Sequence, residues 1–187
     1  MKKFAILAAA AAFAAPAAMA AGTGTGGSLA GYVVSEDADG PDGTGFGLKG
    51  HLGFGAPFAT LEWQSVTLEQ GPFESDLDQL RIGGGYGMDM NTQTSLFGRA
   101  EWIDLGGDAD DDGFGVHGGL KFAATPAVTL KASVGFLKFD DDDGTELLAG
   151  AGFAFTKQLG AFVDYRLFSG DSDLTDLRAG VSFAFGG

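Results

Sequence analysis

From about Gly27 to the C-terminus, apolar and polar positions alternate with period two almost without a break, the pattern of strands whose two faces meet different surroundings. The clearest run is Gly45 to Gly55. Phe46, Leu48, Gly50, Leu52 and Phe54 share one face, while Gly45, Gly47, Lys49, His51 and Gly53 share the other. Gly113 to Ala123 repeats it, with Phe114, Val116, Leu120 and Phe122 against Gly115, His117, Gly119 and Lys121. Val128 to Phe136 opposes Thr129, Lys131, Ser133 and Gly135, and Leu177 to Phe185 opposes Arg178, Gly180, Ser182 and Ala184. The pattern predicts strands at about 27–36, 45–55, 58–69, 76–88, 94–105, 113–123, 128–139, 146–156, 159–168 and 175–185. Each is near the roughly 9–11 residues a tilted strand needs to cross a bilayer.

Two kinds of connection alternate between these strands. One is short: Ala56-Pro57, Asp89 to Gln93, Ala124 to Ala127 and Thr156 to Gln158. The other is acidic: Asp37 to Thr44, Gln70 to Ser75, Gly106 to Asp112, Asp140 to Thr145 and Ser169 to Leu174. They define a turn end and a loop end. The repeat is one of barrel hairpins and not of a solenoid.

The first twenty residues stand apart. Lys2 and Lys3 precede an apolar run from Phe4 to Ala14; Pro16 breaks it, and Ala18-Met19-Ala20 is an A-x-A site. This is the layout of a secretory signal peptide cleaved after Ala20. It leaves 21–26 as a flexible lead-in and 27–187 as the folded part. There is no cysteine, which excludes a lipid-attachment thiol, disulfides and a thiolate metal site. The net charge of −14 excludes nucleic acid as a partner. With 33 Gly, the acidic charge alone could suggest disorder, but 17 Phe and 45% hydrophobic residues argue against it.

The apolar face decides the surroundings. It is bulky (Leu, Val, Phe), with Trp63, Trp102 and Tyr165 toward the loop end and Phe54, Tyr86, Phe122, Phe155 and Phe185 toward the turn end. Two aromatic belts around an aliphatic band are what the two interfaces of a bilayer select. An open sheet edge would leave unpaired backbone groups in hydrocarbon, so the sheet must close. The expected fold is all-β, a closed antiparallel up-and-down transmembrane β-barrel of about ten strands, with eight as the alternative count. A soluble lipocalin-like barrel with an apolar interior is the competing architecture.

The opposite face then reads as a lumen. It carries Lys49, His51, Glu62, Gln64, Gln79, Arg81, Arg99 and Glu101, and further on His117, Lys121, Lys131, Asp164, Arg166, Asp176 and Arg178. Both signs occur in comparable number, which suits mutual pairing better than a single-sign selectivity ring. The expected charge network is Glu62, Arg81, Arg99, Glu101, His117, Asp164, Arg166 and Arg178. Counting outward from the connection centres puts Arg81 opposite Glu101 and Gln64, Glu101 opposite His117, and His51 opposite Glu62.

Several stretches together resemble a known group. They are Gly31-Tyr32-Val33, Asp39-Gly40-Pro41-Asp42-Gly43 running into Gly45-Phe46-Gly47-Leu48-Lys49-Gly50, and Asp78-Gln79-Leu80-Arg81-Ile82-Gly83-Gly84-Gly85-Tyr86. With the signal peptide and acidic loops, they resemble the opacity- and OmpA-type small outer-membrane barrels of proteobacteria, nearest to the xanthomonad outer-membrane quorum-factor family. Arg178 to Phe185 is also similar to the C-terminal signal read by the barrel-assembly machinery, with Gly180, Phe183 and Phe185 at its defining positions. It departs from that signal in the trailing Gly186-Gly187.

Chemistry is sparse. Asp108-Ala109-Asp110-Asp111-Asp112-Gly113 begins like an EF-hand loop, but its twelfth position is Gly119 and no helix flanks it. Loose Ca²⁺ or Mg²⁺ binding at Asp108, Asp110, Asp112, Asp140 and Asp142 is the expectation, set against plain solvated charge. Enzymatic outer-membrane barrels place a His beside a Ser or Asp. The two histidines here sit on the lumen face, and no inward serine clearly adjoins Glu101 and His117. The expected role is therefore a non-enzymatic barrel without a resident cofactor, presenting acidic loops, and monomeric among outer-membrane lipid and lipopolysaccharide. A narrow porin-like channel is the runner-up.

Overall fold

A computed structural model describes residues 24–38, 42–70, 73–107, 111–140, 143–170 and 173–186. The signal peptide and its cleavage site lie outside these residues. Ten strands follow one another: β1 (Thr25–Ala38), β2 (Asp42–Phe54), β3 (Pro57–Gln70), β4 (Phe73–Asp89), β5 (Thr94–Gly107), β6 (Asp111–Ala123), β7 (Val128–Phe139), β8 (Asp143–Ala154), β9 (Leu159–Ser169) and β10 (Leu174–Phe185). Each pairs antiparallel with its neighbours in sequence, and β1 pairs with β10 from Gly27↔Phe185 to Ala38↔Leu174, closing the barrel. Ten strands, not eight, form the wall.

The alternation sorts the faces as the sequence implies. Leu29, Val33, Phe46, Leu48, Tyr86, Phe114, Val116 and Val181 are among many large apolar side chains exposed on the outer wall. Glu101, His117, Asp164, Arg166, Asp176 and Arg178 are buried inside. A water-soluble barrel would have the reverse arrangement. The lipocalin-like alternative therefore has no support.

Three expectations need correction. β1 begins at Thr25, paired with Phe54, so the last two residues of the expected flexible lead-in belong to the wall. The acidic connections are shorter than expected, because the hairpin ladders run on through Asp37↔Asp42, Glu69↔Glu74 and Leu105↔Asp111. Backbone hydrogen bonds favour continuing a ladder, and the outward Asp37, Asp42 and Glu69 are exposed. The two ends thus differ in charge and in how far the strands extend, and hardly in connection length.

The third correction is register. Arg81 is opposite Glu62 and Ile103, Gln64 is opposite Gln79, Glu101 is opposite Gly83 and Gly115, His117 is opposite Arg99, and His51 is opposite Thr60. Each connection centre lies one residue from the counted position, which moves the pairing by two. A two-residue shift preserves the face of every side chain, where a one-residue slip would invert it. The turns carry local signals the count passed over. Asn91 Oδ1 accepts from the amides of Gln93 and Thr94 at 2.9 and 2.8 Å, and the hydroxyls of Thr125 and Thr156 cap their turns in the same way. At the β2–β3 turn Gly55 adopts φ +92°, a conformation open to glycine.

Candidate functional site

The lumen is filled, and its filling is layered. Toward the loop end two apolar clusters pack inward: Tyr32, Val34 and Val66 with Leu68 and Phe162, and Ile103, Leu137 and Phe139 with Leu105 and Phe168. These side chains share faces with the lumen charges, so the interior is not uniformly polar.

A charge belt crosses the barrel near them. Arg81 on β4 donates from Nη1 to Glu101 at 3.0 Å on β5 and to Glu146 at 2.7 Å on β8, and from Nε to Gln79 at 2.9 Å. Glu101 also receives Arg99 at 3.2 Å and lies 2.8 Å from His117 Nε2. Gln79 accepts a second bond, from Arg166 on β9 at 3.1 Å, and joins the two halves of the belt. Arg166 Nε donates to Asp176 at 2.7 Å, and Arg178 Nη2 donates to the same oxygen at 2.7 Å. Arg178 also bonds Glu62 across the closing strands. Tyr32 donates toward Glu62 at 3.2 Å and Gln64 at 3.3 Å, and Gln64 Nε2 donates to Glu36 at 3.2 Å.

Seven of the eight residues expected in the network are thus joined: Glu62, Arg81, Arg99, Glu101, His117, Arg166 and Arg178. Asp164 is not among them. It accepts from Lys49 and Lys131, each at 2.8 Å and each on Oδ2, as a separate cluster. Glu146, Asp176, Glu36 and Tyr32 are members the expected network lacked. Glu146 has the parity of Leu148, Gly150 and Gly152, but it abuts the Asp140–Thr145 run and reads as loop flank. Facing glycines give these long side chains room. A Cβ at Gly135 would collide with the His117 ring, and one at Gly150 with Asp164.

Glu101, His117 and Glu146 offer three ligand atoms within 4.8 Å of one another. Arg81 already sits on both carboxylates, so a divalent ion would have to displace a guanidinium. All three side chains are buried. Of the loose-ion candidates, Asp112 and Asp140 are exposed at the loop end, and Asp112 lies 3.4 Å from the Trp102 indole nitrogen. Asp108, Asp110 and Asp142 lie outside the described residues.

The C-terminal residues have structural places. Phe183 and Phe185 face outward, and Gly180 faces inward, where a Cβ would collide with the Gly31 carbonyl and Tyr32. The motif glycine therefore has a packing reason at the closing seam.

The wall, its two faces and the closure specify an outer-membrane barrel, and the outer membrane protein beta-barrel domain family matches residues 4–185. The chain belongs to that family. No curated protein matches it. Among solved structures it is similar to the NanC porin (TM-score 0.55, 12% identity, 82% of this chain and 98% of that one). It is also similar to Neisserial surface protein A (0.50, 11%, 85% and 97%) and to an outer membrane channel from Pseudomonas putida F1 (0.51, 8%, 87% and 96%). At such identities the likeness is one of fold. Both channel and surface proteins are thus similar to this outer-membrane β-barrel in fold.

Proposed function

We propose that this outer-membrane barrel is non-enzymatic and closed, acting through its acidic loop-end surface, with lipid and lipopolysaccharide around a monomeric wall. The observation that carries this is the set of bridges thrown across the lumen. Arg81 joins β4 to β8, Arg166 joins β9 to β4, and Lys49 joins β2 to β9. Buried, mutually paired charges of both signs resist ion passage, because a moving ion must exchange with partners already satisfied. The apolar clusters beside them offer a permeant ion no hydration.

The test is conductance of the refolded barrel in planar bilayers. A closed barrel gives no regular steps, and Arg81→Ala, which severs the β4–β8 bridge, introduces them. Regular steps in the unaltered protein would replace this reading with the porin-like channel.

A further inference from the structure

At the turn end the lumen opens on a cavity of about 40 Å³, lined by His51, Phe58, Ser95, Phe97 and Lys121. That is room for a few waters or for the head of a small ligand. Lys121 is inward and partly buried, opposite Lys131 in the β6–β7 ladder. Among the described residues no carboxylate lies within ion-pair distance of it. Its ammonium instead stands 5.8 Å from the Phe97 ring centroid. Lys131 is a like charge, and the nearest carboxylate beyond it, Asp164, is already shared by Lys131 and Lys49. Every carboxylate of the belt is paired nearer the loop end.

We propose that this mouth is a binding site for a small oxyanion, the carboxylate or phosphate group of a solute entering from the turn side. Lys121 supplies the charge-assisted donors. Phe58 and Phe97, 6.5 Å apart and edge to face, form its wall, and His51 stacks on Phe58 at 5.3 Å. An ammonium without a carboxylate partner favours an anion without any rearrangement of the belt. The site does not depend on whether the lumen conducts, because it lies at the mouth.

The experiment is an NMR titration of the detergent-refolded barrel with inorganic phosphate and, separately, acetate, at ionic strength held with sodium chloride. The Gly53, Gly55 and Phe97 amides should shift and saturate, while that of Val34 at the loop end should not. A stronger response to phosphate identifies a phosphate site, and an equal or stronger response to acetate a carboxylate site. Lys121→Met should weaken binding about tenfold or more, and Lys121→Arg should retain it. Lys121→Met should also fold, since it removes a like-charge cross-strand pair; a heat-dependent mobility shift in SDS checks this. Failure of the unaltered barrel to saturate with either anion, or an unchanged titration in folded Lys121→Met, overturns the site.

Discussion

Arg81 is the side chain whose removal the structure prices most definitely. Its guanidinium is 6% exposed and holds Glu101 and Glu146, whose side chains are 2% and 1% exposed. The two carboxylates are not equally dependent on it. Glu101 keeps Arg99 at 3.2 Å and His117 at 2.8 Å. Among the described residues Glu146 keeps only Arg166 at 3.9 Å and His117 at 3.8 Å. Stranding a buried charge costs about 3–5 kcal/mol, with water in the lumen lowering the figure. Arg81→Ala should therefore destabilise by about 3 kcal/mol, most of it the cost of stranding Glu146. Removing Glu146 as well should recover much of that loss, giving a coupling of about 2 kcal/mol, against about 1 kcal/mol for Arg81 with Glu101. The assay is reversible urea unfolding in detergent or lipid vesicles, run as two double-mutant cycles. Couplings within about 0.5 kcal/mol of zero, or a larger coupling to Glu101 than to Glu146, would refute the reasoning.

Other outcomes follow from the same geometry. Gly135→Ala should displace the His117 ring from Glu101 and cost about 1–3 kcal/mol by overpacking, measurable in the same unfolding assay, with Gly118→Ala, which faces open space, as a near-neutral control. Millimolar Ca²⁺ should raise the melting temperature more than matched NaCl does, because Asp37, Asp42 and Glu69 stand opposite one another in the outer rungs and repel; an equal response would leave them as solvated charge. An epitope tag inserted between Asp110 and Asp111 should be labelled on whole cells, and one in Ala124 to Ala127 only after permeabilisation; the opposite pattern would invert the barrel.

What could be read from the chain was parity. Period-two alternation places every strand within a few residues and sends Glu62, Arg81, Glu101 and His117 inward together. What could not be read was height. Register depends on where each turn centres, and one residue at Thr92 instead of Asn91 moves Arg81 from Glu101 to Ile103 in the ladder. The Arg81–Glu101 contact survives that shift because a long side chain reaches diagonally across two positions. Glu146 stayed hidden because a carboxylate bordering an acidic loop looks like part of it. The inward Leu137 and Phe139 were hidden for a related reason. A lumen expected to be polar gives no cause to continue its face into apolar residues.

Bridges across the lumen lie beyond any reading of neighbouring strands, and they bear on how the barrel closes. Lys49 and Asp164 are 115 residues apart, and Arg178 and Glu62 are 116. Sequential hairpins can form and stack without either contact. Until β1 meets β10, however, Arg178 and Asp176 on β10 face no Glu62, and Asp164, already placed beside Lys131 across Gly150 of β8, lacks Lys49. Each unpaired charge opposes burial in the membrane. A β1–β10 register wrong by two would keep the faces correct but separate Arg178 from Glu62. The backbone ladder alone would barely distinguish that seam, since it forms equivalent hydrogen bonds in either case. The charge belt does distinguish it, because the register Val34↔Arg178 brings Glu62 to the Arg178 that already holds Asp176 on its own strand. The paired interior thus specifies the closing seam more sharply than the alternating wall can.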